Sequence, residues 1–199
     1  MTFVAELVVQ SAIEPWERLG LHVQQGVAVV GGISLRFEPG NGGVVAWGLT
    51  GLDEVAGDID GLCTGVAAPP AADAPDHPLG IAGWDHLVVM TSSLERTCGA
   101  IEAATGAPLK RIREAGPVRQ GFHRMGELVI EVVEAAQVTA PTASFWGFVW
   151  NVHDLDAVCE RLGPDVVTQP KDAVQPGRRI ATVRSAAGVG VPLALMTTR

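Results

Sequence analysis

One supersecondary pattern recurs along these 199 residues, and a chain built from a repeated unit has few folds open to it. Its clearest copy begins at Trp84–Met90 (WDHLVVM), a short β-rich run. Ser92 and Glu95 follow at capping-box spacing, ahead of apolar residues that return at helical spacing over Leu94–Ala104. Gly106 and Pro108 end that helix, and Leu109–Ala115, Phe122–Met125 and Leu128–Val133 then read as three strands with Gly punctuation. The order then starts again. Phe145–Val152 (FWGFVWNV) is a strand and Asp154 caps a helix over Leu155–Leu162, while Val166-Val167, Arg179–Arg184 and Val191–Met196 supply three more strands. Residues 84–199 therefore form two βαβββ modules in series.

The front of the chain echoes this pattern in shortened form. Ala5–Gln10 (AELVVQ) matches Asp85–Met90 at an offset of 80 residues. Gly31–Phe37 matches Gly126–Val132 at 95, and Trp47–Asp53 matches Trp150–Asp156 at 103. Ser11 and Glu14 repeat the capping-box spacing before a short helix around Trp16–Leu19. The rising offsets mean that loops and one strand are missing in front, so 1–63 is a truncated βαβββ-like unit. Between the halves, 64–83 (TGVAAPPAADAPDHPLGIAG) is an Ala/Pro-rich linker, whose composition cannot sustain a hydrogen-bonded ladder. The fold class this predicts is α+β: tandem βαβββ modules forming a curved mixed sheet with helices on its outer face.

Composition narrows the function. Forty-seven per cent of residues are apolar and 18% charged, enough for a buried core and against disorder. Lys and Arg number 14 against 22 Asp and Glu, a net charge of −8. A phosphate-tracking nucleic-acid binder and an anionic membrane surface are both disfavoured by that sign. The start, Met1-Thr2-Phe3-Val4-Ala5-Glu6, lacks the basic region of a signal peptide. The longest uncharged run, Ala135–His153, carries too many polar residues for a bilayer core. Three scattered cysteines, Cys63, Cys98 and Cys159, fit neither a disulfide framework nor a zinc knuckle, so a cytoplasmic setting is expected. No GxSxG, Walker loop, HExxH or GxGxxG occurs.

The tandem opened by Asp85-His86-Leu87-Val88-Val89, with Leu128-Val129-Ile130-Glu131 and the closing Val191–Met196, resembles the vicinal oxygen chelate superfamily. This glyoxalase-like group includes glyoxalase I, extradiol dioxygenases and bleomycin-binding proteins. The resemblance covers 84–199 well and 3–62 weakly. It implies a cleft between paired modules where up to four ligands hold one divalent metal (Zn, Ni, Mn or Fe). Carried over, the first-strand ligand falls on His86 and the last-strand ligand on Glu131, while the second module offers Gly147 and Ala194, which bind nothing. The equivalent front positions, Glu6 and Arg36, are expected to form a salt bridge instead. A front copy that stands in for a second subunit, and a homodimer, are both expectations of this resemblance.

Strand alternation supports the placement independently. His86, Val88 and Met90 share one face of the first strand, and Val129, Glu131 and Val133 one face of the fourth. Gly147, Val149 and Asn151 would line the cleft from the fifth. That is a mostly apolar small-molecule pocket with one imidazole and one carboxylate. Its expected ligand contacts are His86, Met90, Val129, Asn151, Trp146 at a strand entrance, and Arg179. Arg178 and Arg179 are adjacent and point opposite ways, so at most one faces inward. His123, in a strand, is expected to carry protons alongside Glu131, against the alternative of a packed side chain. His77 is expected to be a solvated linker residue. Two functions follow. One is a metal-free or degenerate-site protein binding an apolar small molecule. The other is a metal-dependent lyase, isomerase or dioxygenase acting on vicinal oxygens, its metal on His86 and Glu131.

Overall fold

The computed structural model of the protein describes residues 2–52, 57–70 and 76–198. Residues 71–75 of the expected linker, and Asp53 of the front repeat, lie outside them, and the linker's ends need correction, since 64–66 and 81–83 belong to paired strands of the two sheets. The front half contains β1 (Phe3–Gln10), α1 (Glu14–Leu19), β2 (Val27–Val30), β3 (Ile33–Glu38), β4 (Gly43–Thr50), β5 (Asp58–Ile59) and β6 (Leu62–Val66). These strands make one six-stranded sheet in the order β2-β3-β1-β4-β6-β5. The back half contains β7 (Ile81–Thr91), α2 (Leu94–Thr105), β8 (Arg111–Ala115), β9 (Val118–Met125), β10 (Leu128–Ala135), β11 (Ser144–Val152), α3 (Leu155–Leu162), β12 (Lys171–Asp172), β13 (Arg179–Thr182) and β14 (Leu193–Thr197). Its eight-stranded sheet runs β12-β13-β14-β11-β7-β10-β9-β8.

The two halves share one plan. β7 pairs antiparallel with β11 at the centre of the back sheet and parallel with β10; β1 pairs antiparallel with β4 and parallel with β3. Glu6 sits opposite Ser34 as His86 sits opposite Val129, the register the first two sequence offsets require. The third offset needs correction. Trp47 faces Leu7 and Phe148 faces Leu87, so Trp47 is equivalent to Phe148 rather than Trp150. The front is also shorter than expected. It is two cut-down modules, β1-α1-β2-β3 and β4-β5-β6, each one strand short, the second without a helix among the described residues.

Local signals explain most element ends. Ser93, one residue beyond the expected cap, accepts the Arg96 N–H for α2, and Gly106 ends the helix at φ 70°, where a side chain would be strained. Asp154 accepts the Ala157 N–H for α3 at 3.0 Å, as its position predicts. Ser11 is no cap. Its hydroxyl donates to Val189 O at 2.9 Å and accepts from Trp16 Nε1 at 3.1 Å. Val166-Val167 shrinks to a single bridge from Val167 to Val183, and the outermost strand is the polar β12.

The halves pack back to back. Leu7, Val9, Leu35, Trp47 and Leu49 of the front sheet and Leu87, Val89, Phe148 and Trp150 of the back sheet are all buried in one continuous core. Trp16 of α1 lies 6.2 Å from Phe148 and 6.1 Å from Trp150, ring to ring, and Trp47 lies 5.3 Å from Phe145. Trp84 Nε1 donates to Val30 O at 2.6 Å, which anchors that indole in the core, where the residue also borders a groove between the two halves. The front unit thus covers the face of β7 and β11 opposite the expected cleft. His77 is buried, contrary to its expected solvation; Nε2 lies 2.8 Å from Val29 O, and Nδ1 accepts the His22 N–H.

Candidate functional site

The site is set by an interruption in β7. Trp150 pairs with Trp84, but the preceding Val149 pairs with His86, so Asp85 is an extra residue on β7. Such a bulge breaks the two-residue alternation and re-aims side chains. Here it sends Trp84 into the core and brings Asp85 to the same cavity as His86. That cavity measures about 230 Å³, with Phe122 of β9 and Val129 and Glu131 of β10 in its walls.

His86 stands between two carboxylates. Nδ1 lies 2.8 Å from Asp85 Oδ1 and Nε2 lies 3.4 Å from Glu131 Oε2. Burial pushes the Asp85 carboxyl up, but hydrogen bonds from His86 and Arg178, and their charges, outweigh it and hold the group at about 2. Asp85 is therefore ionised at neutral pH and can only accept, so the Nδ1 proton belongs to the imidazole. Nε2 then turns to Glu131 Oε2, and the gap between them can seat one proton shared by the two groups. Glu131 Oε1 accepts from Gln120 Nε2 at 2.5 Å, fixing the carboxylate from its other side.

Arg178 closes the floor. It is 6% exposed, its Nη1 donates to Asp85 Oδ2 at 2.6 Å and to Gln175 Oε1 at 2.6 Å, and Nη2 donates to Asn151 Oδ1. Of the two adjacent arginines it is this one that faces inward. Arg179 lies on the helix side, paired with Asp156 of α3 at 2.6 Å, and does not reach the cavity. Asn151 is held by Arg178 and lines a separate groove of about 600 Å³ between the two halves. Met90 shares the face of His86 but lies outside the cavity lining, and Trp146 sits on a second bulge, 53% exposed. His123 pairs opposite the core residue Ile130; its ring is 1% exposed, with Nδ1 2.9 Å from Ala107 O, turned away from Glu131. His86, Val129 and Glu131 are thus brought together; His123 contributes to the same cavity wall with its ring buried against Ala107 O, and Met90, Asn151, Trp146 and Arg179 do not line it.

The residues present do not complete a metal centre. Asp85 has one oxygen committed to His86 and the other to Arg178, Gly147 and Ala194 offer no donor, and among the described residues no third His, Cys, Asp or Glu joins His86 and Glu131. A side chain could not be added at Gly147, where a Cβ would lie 2.2 Å from Pro192 O. In the front half, Glu6 and Arg36 form their ion pair at 2.5 Å, and Ala67 lies over Gly48, 2.5 Å from where a Cβ would stand.

The low Asp85 pKa makes stability depend on acid. A carboxyl depressed from 3.8 to about 2 contributes above the unfolded pKa, and that contribution is lost as pH falls through about 2. The shift corresponds to about 2 kcal/mol. Urea unfolding at pH 5 and at pH 2 should show this loss in the native protein and a smaller one in Asp85→Asn; equal losses would contradict the assignment.

Two βαβββ modules joined through antiparallel first strands, with a cleft on the face away from the helices, are the vicinal oxygen chelate, or glyoxalase-like, fold. Among solved structures it is similar to methylmalonyl-CoA epimerase from Mycobacterium tuberculosis, with a TM-score of 0.51 and 16% identity over 61% of this chain and 91% of that one. A hypothetical protein, BH1468 from Bacillus halodurans C-125, gives 0.49 at 15% identity, over 58% and 94%. The methylmalonyl-CoA epimerase of Streptomyces coelicolor, in complex with 2-nitronate-propionyl-CoA, gives 0.48 at 17% identity, over 59% and 98%. No family model and no curated protein matches the sequence. Among the described residues no helix is long and apolar enough to cross a membrane.

Proposed function

We propose that the cleft around His86 and Glu131 binds a small molecule without a resident metal. The observation that carries this reading is the ion pair between Asp85 and Arg178, which occupies the cleft floor and removes the one further carboxylate within reach of His86. Val129 and Phe122 supply the apolar wall that a ligand body needs, and the His86–Glu131 pair supplies a polar end. Metal-free protein is expected to bind ligands as well as protein dialysed against Zn, Ni, Mn and Fe, with well under one metal retained per chain. Elemental analysis checks this. About one metal per chain, lost in both His86→Ala and Glu131→Ala, would overturn it.

A second reading has its own support. The proton seat between His86 Nε2 and Glu131 Oε2, with Asp85 orienting the ring, suits acid–base chemistry on a bound ligand. The fold neighbour from Mycobacterium tuberculosis is an epimerase, an analogy of fold alone. On this reading a ligand proton would exchange with solvent deuterium in the native protein and not in Glu131→Gln.

A further inference from the structure

We infer that the ligand of this cleft is a small organic anion, a carboxylate on an apolar or aromatic body. The inference rests on the binding role proposed above and names the class of ligand. Its ground is a local reversal of charge. The chain as a whole carries a net −8, yet Lys110, Arg111 and Arg124 all line the 230 Å³ cavity. The acids there are largely spoken for. Asp85 is neutralised by the buried Arg178, and Glu127 pairs with Arg124 at 2.9 Å. Lys110 and Arg111 have no acidic partner among the described residues, and Glu131 is the one carboxylate left facing them across the cavity. Lys110, Arg111, Arg124 and Arg178 outnumber Asp85, Glu127 and Glu131 by one before His86 is counted, and a monoanion balances that excess.

Position makes the excess useful. Arg111 lies with its guanidinium carbon over the Phe122 ring, 4.8 Å from the centroid, a cation–π contact that leaves its N–H groups without a carboxylate partner among the described residues. Lys110 adds a second, mobile charge beside it. The ligand body then lies against Val129 and beside the Arg111–Phe122 stack, and its far end meets the His86–Glu131 proton seat. One face of the molecule takes the charge while the opposite end meets the acid–base pair.

Matched acids and neutral amides test this: benzoate against benzamide, and phenylacetate against phenylacetamide, read by saturation-transfer NMR on the native chain. The acids are expected to bind and the amides not. Lys110→Ala/Arg111→Ala, at exposed positions, should weaken the acids about tenfold or more. Raised salt should weaken them in the native protein. Val129→Trp, which fills the cavity, should abolish binding. Amides that bind as well as acids, undiminished in the double variant but blocked by Val129→Trp, would overturn the anion inference and leave the cleft as a binding site. Acids that bind Val129→Trp unchanged, or no binding by any probe, would overturn both.

Discussion

Arg178→Met is expected to cost about 3–5 kcal/mol of folding free energy at neutral pH, measured by urea unfolding. The guanidinium is almost wholly buried, and besides Asp85, Asn151 and Gln175 it donates to Thr197 O from Nε at 2.9 Å and Nη2 at 2.6 Å. Removing it strands a buried carboxylate, and breaking one half of a buried ion pair is costly because the remaining charge has no compensation. Asp85 would keep the His86 hydrogen bond but lose the guanidinium that helps hold its carboxyl down. Removing both charges in Arg178→Met/Asp85→Leu should recover part of the loss. A single variant within about 1 kcal/mol of the native protein would mean that the pair is solvated and the cleft floor is not as described.

Trp16→Ala is expected to cost a similar amount, about 3–5 kcal/mol, through the cavity it leaves. Trp16 is fully buried where front and back meet, against Phe37 at 5.3 Å as well as Phe148 and Trp150. Because one core runs through both halves, the variant should unfold in a single transition at a lowered midpoint. Calorimetry separates this from the alternative. Two resolved transitions, with the later one unmoved, would show the halves to be independent.

The repeat was legible because periodicity survives where contacts are regular. Most back-half strands and both helices fall close to where alternation, capping and Gly punctuation place them, the strand expected at Val166-Val167 excepted, and the Glu6–Arg36 pair stands where the resemblance put the equivalent ligand positions. What alternation cannot show is its own interruption. The bulge at Asp85 turns Trp84 into the core and adds an acid to the cleft, and the bulge at Trp146 carries that ring out to solvent. Neither has a local signal such as a glycine at the extra residue. Arg178 and Arg179 posed a parity question that only the start of β13, at Arg179, could settle. His123 was misplaced for the converse reason: its face follows from pairing with Ile130, and a single strand does not reveal its partner. Lys110, Arg111 and Gln120 belong to the site through the ordering of β8, β9 and β10, a long-range property that no short motif encodes.

The segment after β6 carries a consequence for stoichiometry. Duplication would ordinarily double valency, one hollow for each copy of the scaffold. Here Ala67 rests on Gly48, and Glu6 is tied to Arg36 where the other copy keeps His86 and Glu131. The front copy has stopped its own hollow and serves as ballast. On the binding role proposed above, a doubled scaffold of this kind keeps one receptor among its described residues, whose lining can vary without disturbing the core on its far side.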